Sequence, residues 1–297
     1  MPAAITHYLH AERVLEKLEQ EHKSLSVNRN AFLWGAQGPD FLYCHRVLPW
    51  QRGKSLRDYA GKLHHEAPER VLQSMKSCYL QSGKAGTVLS YLYGFLCHYS
   101  LDRIGHPYIH FCAWDFGKQY SGQNEESLHN RIESALDVIL LRYEKGDLPT
   151  EFHLKKTVPK DASVQTNIAH IYSFLLYQLY GAQEDEHTLC QATADCRLIF
   201  GLLFDRTGLK KQLVERLEGR ESPHGISCHI RGVSEEDDFD YANILHSAWQ
   251  WPLESSLARK DSFFELYESA VADSVSLIEN YLSTSSLNDL TKGIPFV

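Results

Sequence analysis

Apolar residues recur along most of the chain with the spacing of an α-helix. The clearest example lies in 125–143, where one face carries an apolar stripe of Leu128, Ile132, Leu136, Ile139 and Leu140. Residues three, four and seven apart share one helix face, so this stripe predicts an amphipathic helix. The same argument predicts a first helix after an N-cap at Thr6, and further helices over 28–34, 66–80, 88–105, 125–143, 165–180, 189–204 and 260–282.

Breaks in this pattern set the predicted ends of helices and regions. Pro107 is expected to end the helix 88–105, because the residue before a proline is biased away from the α region. The polar stretch 145–163 contains Pro149 and Pro159 and is predicted to be a loop or linker. Alternating apolar and polar runs are not evident, so we predict an all-α protein. A helical core over 1–145 would carry a C-terminal helical extension over 146–297, or the two would form one continuous domain.

The composition narrows the classes of protein that the chain can represent. The 297 residues have a formal charge of −8 and a pI near 6.0, so no overall basic field favours binding to duplex nucleic acid. No apolar run of about 18 residues predicts a transmembrane segment. The first residues lack the basic and apolar regions of a signal peptide, and the seven cysteines form no CxxC pair. These features predict a cytoplasmic protein with reduced thiols.

The segment 98–107, HYSLDRIGHP, carries the most chemical information. It places His98, Asp102 and His106 at positions i, i+4 and i+8, and the preceding residues 88–97 contain no Asp, Glu, Lys or Arg. Residues four apart lie on the same helix face, about 6 Å apart along the axis. A carboxylate on such an apolar face is costly unless a positive charge compensates it. A divalent metal ion would do so, and a buried His–Asp hydrogen-bonded pair is the alternative explanation.

Further short polar motifs lie before and after this segment. They are Thr6-His7, Gly38-Pro39-Asp40, His64-His65, His110 and the pair His129 and Glu133. Each alone has an ordinary explanation, such as a surface histidine, a turn with an Asx cap or an exposed i, i+4 pair. In their order along the chain, TH, GPD, LH, HxxxDxxxHP and HxxxE, they resemble the zinc-dependent phospholipase C family. That family includes bacterial phospholipases C and is related to the single-strand nucleases.

The resemblance covers about 1–145, and what it implies is an all-α bundle of the phospholipase C and single-strand nuclease type. It implies up to three zinc ions in a cleft between helices, which would make the helical core a metal-binding region. One ion would be bound by Asp40, His64, His98 and Asp102, a second by His106, His129 and Glu133, and a third by His7, with Asp102 bridging two of the ions. By the same resemblance Asp40 is the catalytic residue, acting as the general base or orienting the attacking water.

Two of the implied ligands have neighbouring alternatives. The family's LH is often followed by an aromatic residue, whereas this chain has a second histidine, so His64 or His65 is the ligand. The spacing to Pro68 favours His64. Similarly, His106 matches the family pattern in which a ligand lies four residues after the aspartate, whereas His110 matches relatives in which the gap after the aspartate is longer. His106 is favoured.

The N-terminal metal position also departs from the family pattern. The family uses the free amine of a processed N-terminus together with its first histidine. Here no leader is recognised, but removal of Met1 would expose Pro2, five residues before His7. We therefore hold as a hypothesis that the secondary amine of Pro2 completes the third ion's ligands.

The function implied by the resemblance is hydrolysis of phosphoesters, phosphodiesters above all, by water that zinc activates. The expected partner is a phosphoester substrate, phospholipids included. A single-strand nuclease or a phosphomonoesterase on the same scaffold is the alternative enzyme, because a fold does not by itself choose a substrate. Trp34, Tyr43 and Trp50 are candidate stacking aromatics for such a nuclease, or core residues. A non-catalytic helical metal-binding scaffold is the alternative of a different class.

Overall fold

The computed structural model describes residues 3–22, 26–119, 125–218, 226–232, 239–251 and 254–296. Within these ranges the α-helices are α1 (Ala4–Glu21), α2 (Arg29–Ala36), α3 (Arg57–His64), α4 (Pro68–Gln81), α5 (Gly86–Gln119), α6 (Glu125–Lys145), α7 (Ala162–Tyr180), α8 (Glu186–Leu203), α9 (Leu209–Glu218), α10 (Phe263–Tyr281) and α11 (Leu287–Thr291). Short 3-10 helices occupy Gly38–Cys44, Leu154–Lys156 and Ser227–His229. Strands β1 (Trp249–Trp251) and β2 (Glu254–Arg259) pair antiparallel. The predicted all-α fold is confirmed, and this hairpin is a small addition that the sequence pattern does not predict.

Helix α5 is the centre of the fold. It packs against α2, α6 and α10, and residues 90–102 are buried on every side of the helix. The backbones of α2 and α5 touch where Gly35 meets Gly94, since a Cβ on Gly94 would lie 2.0 Å from the carbonyl oxygen of Phe32. Glycine has no side chain to prevent this approach. The contact fixes the 3-10 helix that follows α2, and with it Asp40, against the middle of α5.

The predicted end of the central helix at Pro107 is wrong. Helix α5 continues through Pro107 to Gln119. A proline inside a helix removes one backbone hydrogen bond and costs about 3 kcal/mol. Beyond it, however, Tyr108, Ile109 and Phe116 are all buried, and each fully buried side chain of this size contributes about 1.5–3 kcal/mol. Packing of the last third of the helix therefore outweighs the local penalty.

The predicted N-cap at Thr6 is also wrong. Helix α1 begins at Ala4, its N-cap is Ala3, and Thr6 lies inside the first turn. The first turn of a helix leaves backbone N–H groups without partners in the helix. The backbone N and the hydroxyl of Thr6 both donate to the carboxylate of Asp137 on α6, at 2.7 and 2.8 Å. A side chain from another helix thus replaces the local cap.

The second half of the chain packs directly on the first. Helix α10 lies against α5 and α1, and α7 lies against α4. The helices predicted over 165–180, 189–204 and 260–282 correspond to α7, α8 and α10. The short helices α3, α9 and α11 were not predicted, because five to ten residues carry little periodic signal. The boundary between 145 and 146 stays a prediction. Within the described ranges, none of the helices combines the length and apolarity needed to cross a bilayer.

Candidate metal centre

Five segments of the chain bring histidines and carboxylates together around helix α5. The helix itself carries His98, Asp102 and His106, one turn apart from each other on one face. The remaining donors come from neighbouring elements: His7 from α1, Asp40 from the 3-10 helix Gly38–Cys44, His64 from the last turn of α3, and His129 and Glu133 from α6. All eight residues proposed from the sequence therefore lie in one region of the molecule.

Two groups of possible ligands share His98 and together form a five-residue cluster: His7, Asp40 and His98 in one, and His64, His98 and Asp102 in the other. The two oxygens of Asp102 face different imidazoles: Oδ1 lies 3.3 Å from His7 Nε2, and Oδ2 lies 3.1 Å from His98 Nε2 and 3.7 Å from His64 Nε2. Asp40 Oδ1 lies 3.2 Å from His64 Nε2. Asp102 is therefore placed to bridge two groups of donors.

A three-residue cluster lies two turns along α5 from His98 and consists of His106, His129 and Glu133. Glu133 Oε1 is its centre, at 3.2 Å from His129 Nε2 and 3.5 Å from His106 Nε2. His129 and Glu133 lie one turn apart on α6, so the sequence spacing alone places them on the same face. Packing of α6 on α5 then brings this face to His106.

The orientation of the side chains distinguishes His64 from His65 and His106 from His110. His64 lies in the five-residue cluster, whereas the adjacent His65 is exposed and donates its Nδ1 proton to Gly61. His106 faces Glu133, whereas the ring of His110 lies 5.9 Å from that of His106 and 5.0 Å from that of His129. Neither His65 nor His110 belongs to a donor group within the described residues. The N-terminal amine of Pro2 lies outside the described residues.

The hydrogen bonds of His64 and His106 point to a cation between the donors. His64 Nδ1 donates to the carbonyl of Ala60 at 2.8 Å, and His106 Nδ1 donates to the carbonyl of Phe296 at 2.8 Å. A neutral imidazole with its proton on Nδ1 has a lone pair on Nε2. In both residues this lone pair faces a carboxylate oxygen, so two acceptors oppose each other unless a proton or a metal ion lies between them.

The oxygen Asp102 Oδ2 supports the same conclusion. It is buried and, among the described residues, has no hydrogen-bond donor, although it is close to two imidazole nitrogens. An unpaired buried carboxylate oxygen is costly. Imidazole nitrogen and carboxylate oxygen are ligands that zinc accepts, at about 2.0–2.2 Å. The residues therefore fit zinc, because the paired donor atoms lie 3.1–3.7 Å from each other, close to the separation expected of ligands that share one ion at this bond length.

The ionisable groups of the two clusters shift one another's pKa values in opposite directions. Burial disfavours the ionised form of Asp40, but the hydrogen bond and charge of His64 and the charge of His98 outweigh it and lower the pKa of Asp40 to about 2. Burial is also the largest influence on His106, yet the charges of Asp102 and Glu133 overcome it and raise its pKa to about 9. Burial lowers the pKa of His98 to about 4. The site therefore holds ionised carboxylates, and His106 takes up a proton in the absence of any other cation.

Several contributors to the site were not found from the sequence. Asp137 anchors the start of α1 next to His7, and only its position one turn after Glu133 could have indicated it. Phe296 contributes a backbone carbonyl, for which the sequence carries no signal. Among the aromatic candidates, Trp34 is a core residue whose Nε1 donates to Pro159. Tyr43 stacks on His64 with ring centroids 6.1 Å apart.

Taken together, the fold and these clusters define an all-helical protein with a buried histidine and carboxylate centre suited to zinc. Comparison with known families agrees: the family model described as zinc-dependent phospholipase C matches residues 6–182, more than half of the chain and beyond the predicted 1–145. The chain belongs to the zinc-dependent phospholipase C family. The matched region contains all eight candidate ligands. No curated protein and no solved structure matches the chain.

Proposed function

We propose that this protein is a zinc-dependent hydrolase that cleaves phosphodiesters of the phospholipase C type. One observation carries the proposal: within the region that matches the family, imidazole lone pairs and ionised carboxylates face each other in a buried centre. A proton could replace the ion at His106, whose pKa, despite burial, Asp102 and Glu133 raise to about 9. It could not do so at neutral pH at His98, whose pKa burial lowers to about 4, whereas zinc suits the nitrogen and oxygen donors of both clusters.

In this proposal the two clusters would supply the ligands of up to three ions. Asp40, His64, His98 and Asp102 would hold one ion, and His106, His129 and Glu133 would hold a second. His7 would hold a third. Its Nε2 faces Asp102 Oδ1, while Oδ2 of the same carboxylate faces His98 and His64, so Asp102 would contribute to holding both of these ions.

The charge balance of the site would favour an anionic substrate. When bound, zinc lowers the pKa of water to about 7 and neutralises charge on the phosphate oxygens. Asp40, Asp102 and Glu133 have lowered pKa values and are ionised at neutral pH. Three carboxylates would compensate only part of the charge of several divalent ions, so an anionic phosphate would be attracted despite the net negative charge of the chain.

Asp40 is the proposed general base. Its side chain keeps 15% of its surface accessible to solvent, more than Asp102 with 4% or Glu133 with 7%. It is therefore the carboxylate of the two clusters that water and substrate reach most easily. His64 holds its Oδ1 at 3.2 Å, and Asp40 would accept the proton of the attacking water.

The test combines zinc content with a substrate screen. Purified protein is dialysed against zinc, its metal content is measured by elemental analysis, and phosphodiesters, phosphomonoesters, phospholipids and single-stranded nucleic acid are offered as substrates. We expect bound zinc and turnover of phosphodiesters. Turnover of single-stranded nucleic acid or phosphomonoesters alone would replace the phospholipase assignment, and zinc without any turnover would favour a metal-binding scaffold.

The adjacent histidines of α3 provide a matched control. His64→Gln removes a donor of the five-residue cluster, and His65→Gln removes an exposed ring one residue away. We expect His64→Gln to lose zinc and activity, and His65→Gln to retain both. Equal zinc content in the two variants would contradict the assignment.

A further inference from the structure

The segment that follows helix α11 returns to the metal centre. Lys292 and Gly293 have positive φ values of 55° and 64° and turn the chain back toward α5. Phe296 then lies fully buried, with its ring 6.0 Å from that of His64 and 6.3 Å from that of His98. A residue more than 160 positions after Glu133 therefore forms part of the wall of the donor clusters.

The carbonyl of Phe296 determines which nitrogen of His106 faces Glu133. His106 Nδ1 donates to this carbonyl at 2.8 Å, which keeps the proton on Nδ1 and leaves the lone pair on Nε2. Nε2 is the atom that lies 3.5 Å from Glu133 Oε1. His64 obtains the same orientation from the carbonyl of Ala60 in its own helix. His106 instead depends on a carbonyl from the far end of the chain.

Helix α5 holds the returning segment through residues that are next to its metal ligands. The hydroxyl of Tyr99, adjacent to His98, donates to the carbonyl of Ile294 at 2.6 Å. Arg103, adjacent to Asp102, donates to the carbonyl of Thr291 at 3.2 Å and pairs with Asp273 on α10. Tyr99, Arg103 and His106 on α5 therefore donate to carbonyls at the end of α11 and in the segment that follows it.

The ring of Phe296 anchors this carbonyl. It packs with its centroid 4.8 Å from that of Tyr99 and 5.8 Å from that of Phe95, in addition to the two imidazoles. A fully buried phenylalanine in irregular backbone limits the movement of its own peptide group, because any displacement would leave a cavity. The same ring restricts rotation of His64 and His98.

We propose that Phe296 is a positioning residue of the zinc centre. Its carbonyl fixes the tautomer and the orientation of His106, and its ring fixes the planes of His64 and His98. Partners that orient metal-ligating histidines in this way typically change metal affinity by 10–100-fold when they are altered. The proposal rests on the proposed function, since it assumes that these histidines bind zinc.

The test compares Phe296→Ala with Phe200→Ala, a truncation of a similarly buried phenylalanine on α8, a helix that carries none of the candidate ligands. Zinc affinity is measured in the full chain by competition with a chromophoric chelator, and thermal stability is measured without metal. We expect Phe296→Ala to weaken zinc binding by about tenfold or more, and Phe200→Ala to lower stability while zinc affinity stays at the wild-type value. Equal zinc affinity in both variants would overturn the proposal.

A second variant covers the case in which Phe296→Ala does not fold. Tyr99→Phe keeps the ring and removes the hydroxyl, which donates to the carbonyl of Ile294 and accepts from Arg103. We expect a smaller loss of zinc affinity in the same direction, and an unchanged affinity would count against the proposal.

The imidazole nitrogens of His106 give a readout that does not need zinc. In nitrogen-15 spectra of the metal-free protein at a pH above 9, we expect a proton on Nδ1 in the wild type and a mixture of tautomers in Tyr99→Phe. If the wild type binds no zinc, the proposed function fails, and this spectrum alone decides whether Phe296 positions His106. A tautomer that is the same in both proteins would overturn the positioning role.

Discussion

The carboxylate of Asp137 accepts two hydrogen bonds from Thr6, one from its backbone N at 2.7 Å and one from its hydroxyl at 2.8 Å. Its other oxygen accepts two bonds from the guanidinium of Arg231, at 2.6 and 2.9 Å. Thr6 precedes His7, and Asp137 follows Glu133 by one turn of α6. One buried carboxylate therefore ties the helix that carries His7 to the helix that carries Glu133.

We expect Asp137→Asn to destabilise the protein strongly. Arg231 is 6% exposed, and a buried charge that loses its partner costs about 3–5 kcal/mol. Urea unfolding measures this loss. The control is Glu19→Gln on the exposed side of α1, which should change the unfolding free energy by no more than about 0.5 kcal/mol. A similar small change in Asp137→Asn would show that the buried pair contributes little.

Gly38 is expected to tolerate no side chain. Its φ is +53°, and a Cβ there would lie 2.2 Å from Cδ2 of His98. Gly83 has a φ of +69° with nothing within 4 Å of its Cβ, so Gly83→Ala is the control for backbone strain alone, about 1–2 kcal/mol. We expect Gly38→Ala to lose more stability than Gly83→Ala, and also zinc affinity. Urea unfolding and zinc titration of the two variants test this, and equal losses would contradict it.

The pH dependence of stability should contain a contribution from His10. Burial lowers the pKa of His10 to about 3, against 6.5 in the unfolded chain. As the pH falls below 6.5 the unfolded state therefore binds a proton that the folded state does not, and the free energy of unfolding decreases. We expect His10→Gln to lose less stability than the wild type between pH 7 and pH 5, measured by urea unfolding. Parallel curves for the two proteins would show that His10 does not titrate in this way.

Asp40→Asn should separate catalysis from metal binding. Asn keeps the shape of the side chain but cannot accept a proton as a base, and general base catalysis typically contributes about 10²–10⁴-fold. We expect most of the zinc to remain and the hydrolysis of a chromogenic phosphodiester to fall by about that factor. Asp58→Asn, on the exposed first turn of α3, should leave both unchanged. Near-normal turnover in Asp40→Asn would remove Asp40 from the catalytic role.

Removal of metal should lower the melting temperature. A ligand that binds only the folded state stabilises it by about 2.7 kcal/mol at a hundredfold excess over its dissociation constant. Zinc would join α1, α3, α5 and α6 through their side chains, so we expect a chelator to lower the melting temperature and added zinc to restore it. An unchanged melting curve after verified removal of metal would argue against the centre.

The sequence predicted which side chains come together better than it predicted the helix ends. The spacing of His98, Asp102 and His106 follows from helix geometry alone, and so does the pairing of His129 with Glu133. The helix end predicted at Pro107 was wrong, because the conformational preference of the residue before a proline says nothing about the burial of the residues that follow. Whether the eight residues bind zinc, and how many ions they hold, stays a prediction.

Other parts of the site depend on contacts that no local pattern reports. The choice between His64 and His65 depends on which side of α3 faces α5. Asp137 and Thr6 are 131 residues apart, and the partner of His106 is a backbone carbonyl, which every residue possesses. Such contacts follow from the packing of whole helices, so they become visible only in the folded chain.

Helix α5 carries donors of both clusters without interruption, so a change in the number of residues between them would alter the site. Inserting one residue between His98 and His106 would turn everything beyond it by about 100° around the helix axis. His106 would then face away from α6, even though every original side chain was still present. The number of residues between His98 and His106 is therefore as important for the site as their identity. A surface loop would tolerate insertions and deletions far better than this part of α5.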